Sequence, residues 1–133
     1  MSKIVAVANA MNSNSNKIST VINYDSYWFF LYDEKYAWCI QSWDHEDKHK
    51  YILYFLTVKG NFYVNEAREF ELLSRTDVRS LVKNGEAIEY NSNEIGTDEA
   101  LKAFRLLYTA VKEKGIGIDK VFDEILQPRA HGM

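Results

Sequence analysis

The sequence predicts an α+β domain. An antiparallel β-meander sheet forms its body, with the two C-terminal helices, and a helix at the N-terminus where residues 2–11 adopt one, packed on one face. Three observations lead there. Between Tyr27 and Val64 the chain runs Tyr27-Trp28-Phe29-Phe30-Leu31-Tyr32, Tyr36-Ala37-Trp38-Cys39-Ile40, Tyr51-Ile52-Leu53-Tyr54-Phe55-Leu56 and Phe62-Tyr63-Val64, with short polar breaks between. Short aromatic and β-branched runs separated by turn residues mark paired antiparallel strands. After Thr97 the apolar spacing becomes helical. Finally, 133 residues with 47% apolar and 26% charged side chains make one soluble domain, 1–133, able to bury a core without staples.

Taken in order, Ile4, Val7, Ala8 and Met11 fall at helical spacing, so residues 2–11 read as a short amphipathic helix, with a strand the competing assignment. Asn12-Ser13-Asn14-Ser15-Asn16 is a polar spacer, and Ile18–Ile22 reads as an edge strand. In the meander, Asp33-Glu34-Lys35 suits a hairpin loop, residues 44–50 form a longer charged break, and Lys59-Gly60-Asn61 supplies the third turn. Apolar residues occupy both alternating sets of strand positions, which predicts a sheet covered by helices on one face with exposed aromatics on part of the other.

Phe70 and Leu72 alternate with Glu69 and Glu71, which favours a further strand. Thr76 is placed to cap a short helix ending at Asn84-Gly85, and Ala87, Ile88 and Tyr90 form a short strand. The clearest helix spans residues 98–114, with Thr97 as N-cap, Asp98 and Glu99 in the first turn and Lys112 and Lys114 in the last. Its apolar stripe is Leu101, Phe104, Leu107, Tyr108 and Val111. Ile118, Val121, Phe122, Ile125 and Leu126 mark a second amphipathic helix stopped before Pro128, and residues 129–133 read as an unstructured tail.

The net charge of −3 gives no pull toward phosphate backbones or anionic membranes, and suits a basic protein partner. Cys39 is the only cysteine, so no internal disulfide forms; its apolar setting makes it core packing, and the chain reads as cytoplasmic. No run reaches the roughly 18 apolar residues of a membrane span.

One motif carries specific chemistry. His45-Glu46-Asp47-Lys48-His49 matches H-E-x-x-H, in which two histidines on one helix face ligate zinc and the glutamate activates a bound water. Over these five residues the chain resembles the zinc metallopeptidases. That resemblance implies a zinc-dependent hydrolase using His45, Glu46 and His49, with Glu69 as a third ligand. Against it, Asp47 and Lys48 are charged where a buried helix wants apolar spacers, and the motif lies between two strand-like runs. A solvated hairpin loop is the preferred reading, with no catalytic residue, metal or cofactor assigned. Arg75, Arg79 and Lys83, spaced by four, would line one helix face, which reads first as a solvated face and second as a phosphate contact.

The acids of the meander fall in its loops. With the adjacent aromatics they suggest a partner-binding surface made of Asp33, Glu34, Tyr36, Trp43, Asp44, Glu46 and Asp47, since aromatics anchor interfaces and charges steer approach. The same charges would also keep sheet edges from pairing with other chains. The expected function is a small acidic protein-binding module, an inhibitor or immunity-type protein that masks a basic toxin or nuclease. A dimeric secretion-type chaperone is the second expectation, and the zinc hydrolase the third. A small-ligand pocket beneath the sheet would leave no trace in the sequence.

Overall fold

The computed structural model describes residues 2–45 and 48–127. Strand alternation sends successive side chains to opposite faces of a sheet, and here both faces are apolar enough to need cover. The chain meets that need with helices before, within and after the meander. Their order is α1 (Lys3–Ser13), a 3₁₀ turn (Ser15–Lys17), β1 (Ile18–Tyr24), β2 (Tyr27–Tyr32), β3 (Tyr36–His45), β4 (Lys48–Leu56), α2 (Ala67–Ser74), α3 (Val78–Lys83), β5 (Ala87–Asn91), α4 (Ser92–Ile95), α5 (Asp98–Ile116) and α6 (Ile118–Leu126). The five strands pair antiparallel in the order β1-β2-β3-β4-β5, so the α+β meander has the architecture the sequence predicts.

One face places Phe30, Trp38, Ile40, Tyr51 and Leu53 against Val5, Ala8 and Met11 of α1 and Ala103, Phe104, Leu107 and Val111 of α5. The other places Phe29, Leu31, Ala37, Cys39, Tyr54 and Leu56 against Phe70 and Leu73 of α2 and Val78 and Leu81 of α3. The sheet is therefore covered on both faces over most of its width. The expected aromatic platform is largely interior. Phe29, Phe30, Tyr51 and Tyr54 are buried, and the exposed rings of the meander, among them Trp43, Phe62 and Tyr63, lie at strand ends and in loops.

Two expectations change. Residues 69–72 are part of α2 and not a strand. Phe70 and Leu73, three apart, face the core while Leu72 is exposed. The start of α2 is fixed by a capping box, in which Glu69 Oε1 accepts from the backbone N–H of Glu66 at 3.1 Å and of Asn65 at 3.0 Å. The second C-terminal helix also departs from the expected packing. α5 lies on the sheet as expected, whereas α6 abuts α5 and leaves Val121, Phe122, Ile125 and Leu126 exposed.

The capping signals read from the sequence act close to where they were expected. Thr97 Oγ1 accepts from Ala100 N–H at 3.1 Å, starting α5. Asp77, one residue beyond Thr76, caps α3 by accepting from Arg79 N–H at 3.2 Å. α5 continues through Gly115, where a Cβ would stand 2.5 Å from the Trp28 ring, and ends at Gly117 with φ 75°. Gly115 is thus a close-approach residue, and Gly117 is the helix stop. The tail at 129–133 lies outside the described residues. Among the described residues no helix is long and apolar enough to cross a membrane.

Candidate functional site

β3 and β4 are longer than their neighbours. Their ladder runs from Ala37↔Leu56 to His45↔Lys48, but β2 covers β3 only as far as Gln41 and β5 covers β4 only as far as Ile52. Four register pairs therefore extend beyond the sheet as a two-stranded arm of about 13 Å, at the usual strand rise. The arm is anchored at its base, where Ser92 Oγ accepts from Tyr51 N–H at 3.0 Å.

Alternation gives the arm two chemically different sides. On the α2/α3 side Trp43 is 46% exposed, and Lys50, its cross-strand partner, holds Nζ 4.0 Å from the ring centroid. Below them a polar hollow of about 350 Å³ is lined by Tyr27, Gln41, Tyr54, Arg79, Glu89 and Glu94, among others. Arg79 Nη1 donates to Glu89 Oε2 at 2.8 Å, Tyr54 Oη donates to Gln41 Oε1 at 3.3 Å, and Gln41 Nε2 donates to Ser26 Oγ at 2.9 Å. Burial pushes the Tyr54 hydroxyl well above the usual tyrosine range, although the Arg79 guanidinium beside it pulls the other way. On the α5 side, Asp44 Oδ1 and His49 Nδ1 meet across the ladder, and His49 stacks edge-on to Tyr51, 4.7 Å between centroids. Tyr51 in turn lies 5.5 Å from Tyr108 of α5.

The expected partner-binding residues separate into two groups. Trp43 and Asp44 lie on the arm, and Glu46 and Asp47 lie outside the described residues, between its two strands. Asp33, Glu34 and Tyr36 sit at the opposite end of β3, about 23 Å from Trp43 at the strand rise of ~3.3 Å per residue. There Asp33 and Glu34 make the β2–β3 turn with φ of 57° and 62°, a conformation unusual for residues other than glycine or asparagine. Tyr36 packs at a tilt against Tyr63, 5.5 Å between centroids, with Lys35 Nζ 5.3 Å from its ring.

His45 and His49 belong to strands, so their spacing of four does not bring them to one helical face as the zinc peptidase motif needs. The backbone register sets His49 opposite Asp44 and His45 opposite Lys48. Among the described residues no group of three His, Cys, Asp or Glu side chains could hold a metal ion. Cys39 is fully buried, and that burial raises its thiol well above its ordinary range, in keeping with a packing role. The row of Arg75, Arg79 and Lys83 is interrupted: Arg75 caps α2, while Arg79 and Lys83 belong to α3.

A second concavity opens on the other face of the sheet. Between α1 and the sheet lies an open apolar groove of about 650 Å³. Its floor is the aromatic set Tyr32, Tyr36, Trp38, Phe55 and Tyr90, and α1 supplies a wall that includes Ile4, Val7 and Met11. No single run of sequence announces it. Its aromatics come from four strands that read individually as ordinary meander positions. No family model, curated protein or solved structure matches the chain.

Proposed function

We propose that this chain is a non-catalytic protein-binding module of inhibitor or immunity type, which uses the β3–β4 arm to engage a basic surface on its partner. The observation that carries the reading is the arm itself: four strand pairs extending beyond the sheet, presenting a half-exposed Trp43 on one side and Asp44 on the other. Antiparallel ribbons held on a rigid sheet position an anchor ring with little entropy left to lose on binding. Tryptophan is among the side chains most enriched at energetic centres of interfaces, and acids around it steer a cationic partner and set register. Glu46 and Asp47 add two further negative charges between the strands.

The test is recovery of the partner from the native host by the immobilised chain, followed by affinity measurements on variants. Trp43→Ala is expected to weaken binding by about 30-fold or more, the range of an interface hot spot. Asp44→Lys is expected to slow association at low salt and to matter less as salt rises. A partner bound equally well by wild type and Trp43→Ala would overturn the assignment to this arm.

The reading as a dimeric secretion-type chaperone has one observation in its favour. α6 leaves Phe122, Ile125 and Leu126 exposed on one short helix, an arrangement suited to pairing with the same helix of a second copy. Under this reading wild type sediments as a dimer and Phe122→Glu as a monomer. A wild type that stays monomeric at high concentration removes it.

A further inference from the structure

We infer that the groove between α1 and the sheet is a binding site for an apolar small molecule with an anionic head, of the class of a medium-chain carboxylic acid. The inference is independent of the protein-binding arm, which lies beyond the sheet on the β3–β4 extension.

The groove's volume of about 650 Å³ sits in the middle of the range for small-molecule sites, about 300–1,000 Å³. Its walls are aromatic and aliphatic, as the body of such a ligand requires. What selects the head group is the polar chemistry of the lining. Trp38, only 8% exposed, lines the groove, and its Nε1–H is buried with no acceptor. A buried donor left without a partner is costly, so the indole N–H gains most from a ligand that brings an acceptor with it.

The charge of the lining points the same way. Lys3 is the only charged side chain among the described residues that line the groove, and no acidic side chain lines it. Lys3 also opens α1, whose N-cap Ser2 makes no side-chain cap bond and whose first turn carries no acid. The positive end of an eleven-residue helix therefore stands uncapped by side chains at the groove's rim. Glu99 lines a smaller cleft with Val5, Thr97 and Ser2, the last of which it shares with the groove. A cationic or purely hydrocarbon ligand would meet the same walls but leave these donors unanswered. A carboxylate answers the charge at the rim, and it is also the strongest acceptor for the indole N–H once the side chains sealing that atom give way.

The experiment titrates sodium laurate, below its aggregation concentration, onto the full chain, following tryptophan fluorescence and heat. Saturable binding at one site is expected. Trp38→Phe removes the N–H together with the five-membered part of the indole, and is expected to weaken laurate about tenfold, as for a hydrogen bond to a charged group. Lys3→Glu is expected to weaken laurate while leaving dodecanol unchanged. Ala10→Trp, which puts bulk into the groove from an exposed helix position, is expected to abolish binding without changing the thermal melting curve. Absence of saturable laurate binding overturns the inference. So does equal affinity for dodecyltrimethylammonium, or a Trp38→Phe variant that melts like wild type and binds laurate unchanged.

Discussion

Phe104→Ala is expected to destabilise the protein by about 3–5 kcal/mol, the range for deleting a fully buried aromatic ring. Phe104 is wholly buried on α5, within a core that joins α1, α5 and the sheet through Val5, Met11, Phe30 and Leu53. Sheet and helices fix the walls around it, so the vacated space cannot close by a small shift. Domains of this size have about 5–15 kcal/mol of stability in all, so this one change would remove a large share. Urea denaturation measures it as a lower midpoint with an unchanged slope. Leu106→Ala, two positions along on the exposed side of the same helix, is the control and should stay within about 0.5 kcal/mol. A loss below about 1 kcal/mol for Phe104→Ala would mean that α5 is not a layer of this core.

Raising the pH above 10 is expected to unfold the protein progressively, and Tyr54→Phe is expected to blunt the effect. Burial raises the hydroxyls of Tyr54, Tyr27 and Tyr51 and the thiol of Cys39 above their ordinary values. The folded state therefore holds these protons where the unfolded chain releases them. The sign follows: this contribution to stability is complete below the unfolded pKa, about 10 for tyrosine. It is lost as pH climbs through the window between the unfolded and folded values. Within that window a single buried group costs up to about 1.4 kcal/mol per pH unit. In Tyr54→Phe that slope is reduced by one group, while at pH 8 the variant gives up about 1 kcal/mol with the hydrogen bond to Gln41. Denaturation midpoints from pH 8 to 11.5 provide the comparison. Parallel curves for the two proteins would show that Tyr54 ionises as readily folded as unfolded.

The strands were legible because their signal is local. Tyr27–Tyr32, Tyr36–Ile40 and Tyr51–Leu56 are short, aromatic and bounded by turn residues, and each lies within a strand. α5 was legible for the same reason, through Thr97 and a stripe of apolar residues. α2 was misread because Phe70 and Leu72 also fit alternation; the signal that separates the two readings is Glu66 with Glu69, a side-chain bracket that only a helix start uses. α6 shows what periodicity leaves open. The pattern says that one face is apolar and says nothing of what that face meets.

The candidate surfaces were less visible still. Seven residues chosen by type fall at both ends of a ten-residue strand, since chain proximity through a meander does not set which end of the sheet a loop occupies. The groove depends on where α1 happens to lie across side chains from four strands, and the unanswered indole of Trp38 becomes apparent only once its surroundings are known.

The spatial order of the strands, identical to their order along the chain, bears on how the molecule is assembled in time. Three of the four ladders join strands only two or three residues apart along the chain and can zip from one end, at a modest entropic cost. The fourth joins β4 to β5 across the whole of α2 and α3, and must wait for that excursion to settle. The last strand to arrive is therefore β5, and until it does β4 presents a bare, apolar margin on which a second nascent chain could be captured.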